Sequence, residues 1–194
     1  ATLQNGIEVN VSVKRFLSLD LDELGAIQYK IIPINKDAEI TFQPYLDAGI
    51  TNEDTNWDDK FWGAADISHE GNQAFIQAKT MKTDFHTCTF MESTVFVNGK
   101  PLDVVPDVQV DANKIAFHYS CQVKQNQVYT IHKFGGYTVD SNHDKAELTL
   151  AAKRVLSIAS GLGFYQLLND QKQAWVKIWK MADITIEGDV KAQQ

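Results

Sequence analysis

The sequence predicts a mainly β protein, an antiparallel β-sandwich followed by two α-helices. Three observations carry this: a run of short alternating segments, turn residues between them in place of helices, and a change of hydrophobic period after Val139.

The first alternating segment is 7–13, where Ile7, Val9, Val11 and Val13 share one face and Glu8, Asn10 and Ser12 the other. A period of two marks a strand with one buried side. Similar segments recur at 27–32, 40–45, 74–78, 85–91, 95–97, 115–123 and 128–134, about eight strands in all by the alternation rule. Asn98-Gly99, followed by Lys100-Pro101, predicts a hairpin. Asp111-Ala112-Asn113 and Gln125-Asn126 predict reversals. Strands joined by short turns pair antiparallel, which excludes a βαβ arrangement.

Asp140, Ser141 and Asn142 offer side chains that could cap a helix. Leu148, Ala151, Ala152, Val155 and Ala159 then fall on one helical face until Gly161-Leu162-Gly163 stops it. A second helix is predicted over about 164–182, with Leu167, Leu168, Ala174, Trp175, Ile178 and Trp179 as its apolar stripe. The organisation expected is a β-sandwich over 1–140 and a helical linker over 141–194. A chain that opens Ala1-Thr2-Leu3-Gln4, without an initiator Met, reads as a piece of something longer.

Composition narrows the function. With 194 residues, 44% of them hydrophobic and 22% charged, the chain can bury a sizeable core. A net charge of -7 without clustered Lys and Arg argues against nucleic-acid binding. No apolar run approaches the roughly 18 residues of a spanning helix, and no charged-then-apolar leader opens the chain. Cys88 and Cys121 belong to no metal-binding spacing and read as free thiols of a cytoplasmic protein. No nucleophile elbow, phosphate loop, dinucleotide loop or zinc-binding HExxH is present, so no catalytic residue and no metal site is assigned.

Three groups of residues remain as candidates. His86, His118 and His132 sit in predicted strands, where local hydrogen bonding is the simpler role for each. Trp175 and Trp179, at i and i+4 with Ile178 between them, read as a packing face on the second helix. The stretch NEDTNWDDKFW, residues 52–62, combines four acids with three large aromatics. Acids and aromatic faces are what sugar-processing sites use. Adjacent acids such as Asp58 and Asp59 diverge, however, so a catalytic pair within this loop is not expected. Asn56, Trp57, Asp58, Asp59, Phe61 and Trp62 are instead taken as substrate or interdomain contacts.

Phe16-Leu17-Ser18-Leu19 after Lys14-Arg15, the NEDTNWDDKFW loop, and Ala174-Trp175, Trp179, Asp183-Ile184-Thr185-Ile186-Glu187-Gly188-Asp189 and Gln193-Gln194 together resemble glycoside hydrolase family 65. Within that family the likeness is to maltose, kojibiose and trehalose phosphorylases, and it covers essentially the whole chain. It implies a β-supersandwich similar to galactose mutarotase, lacking its earliest strands, then linker helices leading to an (α/α)6 catalytic barrel absent here. It also implies a cytoplasmic, homo-oligomeric parent enzyme acting on an α-glucoside, with inorganic phosphate as co-substrate and no cofactor. Phosphate there replaces water as the nucleophile of an inverting reaction while a carboxylic acid protonates the leaving oxygen. Both groups would lie in the barrel, so this segment is expected to be inactive, a scaffold with an interface. One departure is local: many relatives carry a histidine where this chain has Asn169-Asp170-Gln171. Two other readings follow from the same fold. One is an independent carbohydrate-binding module. The other is a mutarotase-like epimerase using His118, His132 and Glu92.

Overall fold

A computed structural model describes residues 1–2, 6–51, 60–63, 65–184, 186–188 and 191. Eleven strands and one long helical element are formed by the described residues. They run β1 (Val9–Leu17), β2 (Leu24–Pro33), β3 (Ala38–Phe42), β4 (Tyr45–Asp47), β5 (Asp66–Glu70), β6 (Gln73–Lys79), β7 (His86–Val97), β8 (Lys100–Pro101), β9 (Asp107–Val110), β10 (Lys114–Val123), β11 (Tyr129–Val139) and α1 (Leu148–Ala182). All strand pairs are antiparallel.

The large sheet has the order β1-β2-β11-β7-β6-β5, with β8 beside β7. The small sheet pairs β10 with β3 and β4 on one side and β9 on the other. Between the sheets, Ile31, Met91, Val95 and Ile131 of the large sheet meet Phe42, Leu46, Ile115, Phe117 and Val123 of the small one. Alternation explains the choice, since every second residue of a strand faces the same layer. A buried polar link crosses this core: the Tyr119 hydroxyl donates to the Ser93 carbonyl at 3.1 Å and lies 3.0 Å from Ser93 Oγ. The outer face of the large sheet carries a second core, in which Leu24, Ala26, Phe75, Cys88, Phe90 and Phe134 pack under Leu148, Ala152, Leu156, Ala159, Phe164 and Leu167 of α1.

The expected sandwich is present, with corrections in detail. Segments 85–91 and 95–97 form one continuous strand, β7, because paired neighbours on both sides leave no place to turn. β5 and β9 escaped the alternation rule. Both are edge strands, and β9 is exposed at every position, so no apolar stripe marks it. Asn98 and Gly99 turn the β7–β8 hairpin with φ of 49° and 81°, the left-handed pair a two-residue turn needs.

The two expected helices are present, running on across a kink as one element, α1. Gly163 alone breaks it, at φ 75° and ψ 163°, a conformation essentially confined to glycine. The capping side chains at 140–142 do not start the helix. Asp140 instead accepts from the His86 amide at 3.0 Å, and a 3-10 turn, Lys145–Glu147, precedes α1. Cys88 and Cys121 are free and belong to separate clusters, and burial raises both thiols above their ordinary range.

Candidate functional site

Two halves of α1 differ in what they do. The first half is clamped to the large sheet by polar contacts as well as by its core. Thr138 Oγ1 donates to the Leu148 carbonyl at 2.9 Å, Gln77 Nε2 donates to Thr149 Oγ1 at 2.6 Å, and Lys153 pairs with Glu70 at 2.8 Å. Ser160 Oγ donates to Glu92, which also accepts from Gln73 Nε2 at 2.7 Å.

Just past the break, the sheet holds the chain with a buried polar cluster. His132 on β11 lies between Phe96 and Phe164, with ring centroids at 4.6 and 4.9 Å. Gln28 Nε2 of β2 donates to His132 Nε2 and to the Tyr165 hydroxyl, each at 3.0 Å. Among the described residues no charged partner accompanies the imidazole, and burial pushes it down to about 4, so it is neutral at pH 7. Nearly two turns further on, Gln171 Oε1 accepts the Leu19 amide at 2.8 Å. Gln171 is the last buried residue of α1, tied to the β1–β2 turn.

Beyond it the helix runs free of the sandwich for residues 172–182, about 16 Å at the usual helical rise. Here stand Trp175, Ile178 and Trp179, at 44, 38 and 56% exposure. The two indoles stack on each other at 6.3 Å and 29°. Val176 and Met181 are exposed beside them, and among the described residues no buried core reaches this segment. Two tryptophans ordered against one another in water form an apolar face of the kind that associating surfaces use.

Of the loop residues, Asn56, Trp57, Asp58 and Asp59 lie outside the described residues. Phe61 and Trp62 are described and dock on the chain's own β6–β7 turn. Trp62 bridges Thr80, and the Met81 amide donates to the Phe61 carbonyl at 2.8 Å. With Ile50 and Met81 they line a hollow of about 340 Å³, and Phe61 remains 46% exposed.

The three residues considered for anomer interconversion do not meet. His118 lies on β10 of the small sheet, whereas Glu92 and His132 sit on the helix-facing side of the large one. Glu92 is occupied by Gln73 and Ser160. Among the described residues no cluster of His, Cys, Asp and Glu could hold a metal ion, and no helix is long and apolar enough to cross a membrane.

Gln28 and Tyr165 were not singled out from the sequence, and Gln171 was noted only within the Asn169-Asp170-Gln171 departure. Gln28 carried a usable signal, since it follows Leu24 and Ala26 on the buried face of β2. A polar residue at such a position has a specific partner.

Known proteins place this geometry. The family described as glycosyl hydrolase family 65, N-terminal domain, matches residues 1–178. Maltose phosphorylase of Bacillus subtilis (strain 168) is 30% identical over 186 residues, which cover 96% of this chain and 24% of that protein. Alpha,alpha-trehalose phosphorylase of Thermoanaerobacter brockii is 27% identical over 194 residues, covering 96% and 25%. A solved structure, a putative kojibiose phosphorylase from human microbiome, superposes with a TM-score of 0.78 at 18% identity, over 91% of this chain and 22% of that one. The chain thus spans about a quarter of the length of these relatives.

Proposed function

Because the chain belongs to glycosyl hydrolase family 65 and matches its N-terminal domain, we propose that it is a non-catalytic scaffold and interface of a maltose-phosphorylase-like enzyme. The parent reaction is inverting phosphorolysis of an α-glucosidic disaccharide to β-glucose 1-phosphate and glucose. It needs an acid on the glycosidic oxygen and a bound phosphate in line with the anomeric carbon. Among the described residues neither role has a candidate. Buried Glu92 is engaged by Gln73 and Ser160, and half-buried Glu23 by His143 at 2.8 Å. Catalysis and substrate choice belong to a barrel that follows α1, with the enzyme cytoplasmic and homo-oligomeric. Phosphate is its co-substrate, and it needs no cofactor.

The stacked Trp175–Trp179 pair on the free end of α1 carries the scaffold reading. Its role is to pack against that barrel, and in the isolated chain it has only other copies to meet. Sedimentation velocity tests this. The wild-type chain self-associates as its concentration rises, while Trp175→Glu/Trp179→Glu stays monomeric. Its stability remains within about 0.5 kcal/mol of wild type, as for exposed positions generally. A wild-type chain that stays monomeric into the hundred-micromolar range overturns the reading.

A further inference from the structure

The inner face of the large sheet is not fully covered by the small one. Beyond Leu46 of β4 it opens into a cleft of about 730 Å³ lined by Arg15, Leu17, Ile27, Lys133, Tyr137 and Thr89 among others. Strand register fixes its plan. Arg15 on β1 stands opposite Ile27 on β2, and Ile27 opposite Lys133 on β11. At the usual strand spacing the two cations rise about 10 Å apart with Ile27 between them. Two residues along the same face, Leu17 stands opposite Gly25 and Gly25 opposite Gly135, so the floor drops to bare backbone. Tyr137, 61% exposed, follows Gly135 on that face and pairs with Thr89. Asp22, exposed in the β1–β2 turn, closes the end away from the cations.

Two features mark the cleft as a binding site. Among the described residues neither Arg15 nor Lys133 has a carboxylate partner, in a chain of net charge -7. Lys133 is half-buried, gives one hydrogen bond, to the Tyr45 carbonyl at 2.7 Å, and burial pulls it down to about 8. An ammonium has three donors, and leaving it desolvated without an anion costs stability that an apolar residue would not. The second feature is the glycine floor. At Gly135 a Cβ would meet the Phe90 carbonyl at 2.9 Å, so strand packing accounts for that glycine. At Gly25 a Cβ would meet mainly the mobile tip of Leu17 at 3.1 Å, so packing alone does not require a glycine there.

We propose that this cleft binds a hexose phosphate, with the phosphate between Arg15 and Lys133 and the sugar ring over Gly25 and Gly135. Tyr137, Thr89 and Asp22 meet the sugar hydroxyls. The cleft volume lies within the range of small-molecule sites. The choice of a hexose rests on the disaccharide phosphorylase reading, whereas the choice of an anion rests on the two cations alone.

Isothermal titration of the whole 194-residue chain with glucose 1-phosphate tests the proposal, with glucose and inorganic phosphate as controls. The expected result is saturable binding in the millimolar range or tighter, and at least tenfold weaker binding of either control. Arg15→Gln and Lys133→Gln each weaken glucose 1-phosphate about tenfold, the scale of one lost charge-assisted contact. Gly25→Ala weakens it while leaving both cations in place. Circular dichroism melting confirms that each variant folds, and Arg15, being exposed, keeps the test valid if Lys133→Gln does not. Absence of binding, binding of inorganic phosphate as tight as glucose 1-phosphate, or indifference to all three substitutions overturns the proposal. The phosphorylase reading is decided separately, by self-association and turnover, so the two can fail independently.

Discussion

Lowering the pH from 7 to 5 should destabilise this protein in part through His132. Its imidazole titrates at about 4 in the folded chain against an ordinary value of 6.5, because burial disfavours the charged form. The folded value is depressed, so between those two pH values the unfolded chain binds a proton that the folded chain does not. Stability therefore rises with pH through this window and is lost as pH falls from 6.5 towards 4. Linkage over a shift of that size gives a loss of about 2 kcal/mol between pH 7 and pH 5, and about 3 kcal/mol once both states are protonated. Carboxylates contribute over the same range, so the measurement has to be differential. Urea unfolding followed by circular dichroism at pH 7 and pH 5, for wild type and His132→Gln, isolates the imidazole. The variant is less stable at pH 7, having lost its place between Phe96 and Phe164. Its loss on going to pH 5 is about 2 kcal/mol smaller than that of wild type. Parallel losses in the two proteins would refute the reasoning.

Gly163→Ala places a side chain where φ is 75° and ψ 163° but where a Cβ would touch nothing within 4 Å, so its cost is backbone strain alone. The expected loss is about 1–3 kcal/mol by thermal melting. Asp84 is held down to about 2 chiefly by its hydrogen bond from Lys145 at 2.8 Å and then by His86. Lys145→Ala should move it back towards the ordinary carboxylate range, as read from the Asp84 carboxyl carbon in an NMR titration. A depressed carboxylate stabilises above its unfolded value and ceases to as pH falls through the folded one. Wild type should therefore lose more stability than the variant below pH 4.

The sandwich was legible because the core obeys parity. Val9, Ile31, Ile131 and Val123 all stand where alternation places an inward residue. The family resemblance was legible in the tail and in the 52–62 loop, and the match over residues 1–178 supports it. β9 was hidden because an exposed edge strand has no apolar stripe to read. The break at Gly163 and the helix beyond it were both legible, whereas the Gln28–Tyr165 and Gln171–Leu19 bonds that tie that helix to the sandwich were not. These join residues 137 and 152 positions apart, which no local pattern encodes. Gln171 is part of the Asn169-Asp170-Gln171 departure, and its bond to Leu19 gives that departure a structural role in holding the linker. The cleft was hidden for a similar reason. Arg15, Ile27 and Lys133 lie on three strands, and only register brings them into one row. A lysine at an inward position after Tyr129 and Ile131, followed by Gly135-Gly136, was the available signal.

We propose that this chain supports a phosphorylase without performing its reaction. Incubating the purified chain with inorganic phosphate and maltose, trehalose or kojibiose, and assaying for glucose 1-phosphate and free glucose, tests it most directly. The expected result is no product of either kind above a protein-free control. Glucose 1-phosphate formed in proportion to the amount of chain added would contradict it.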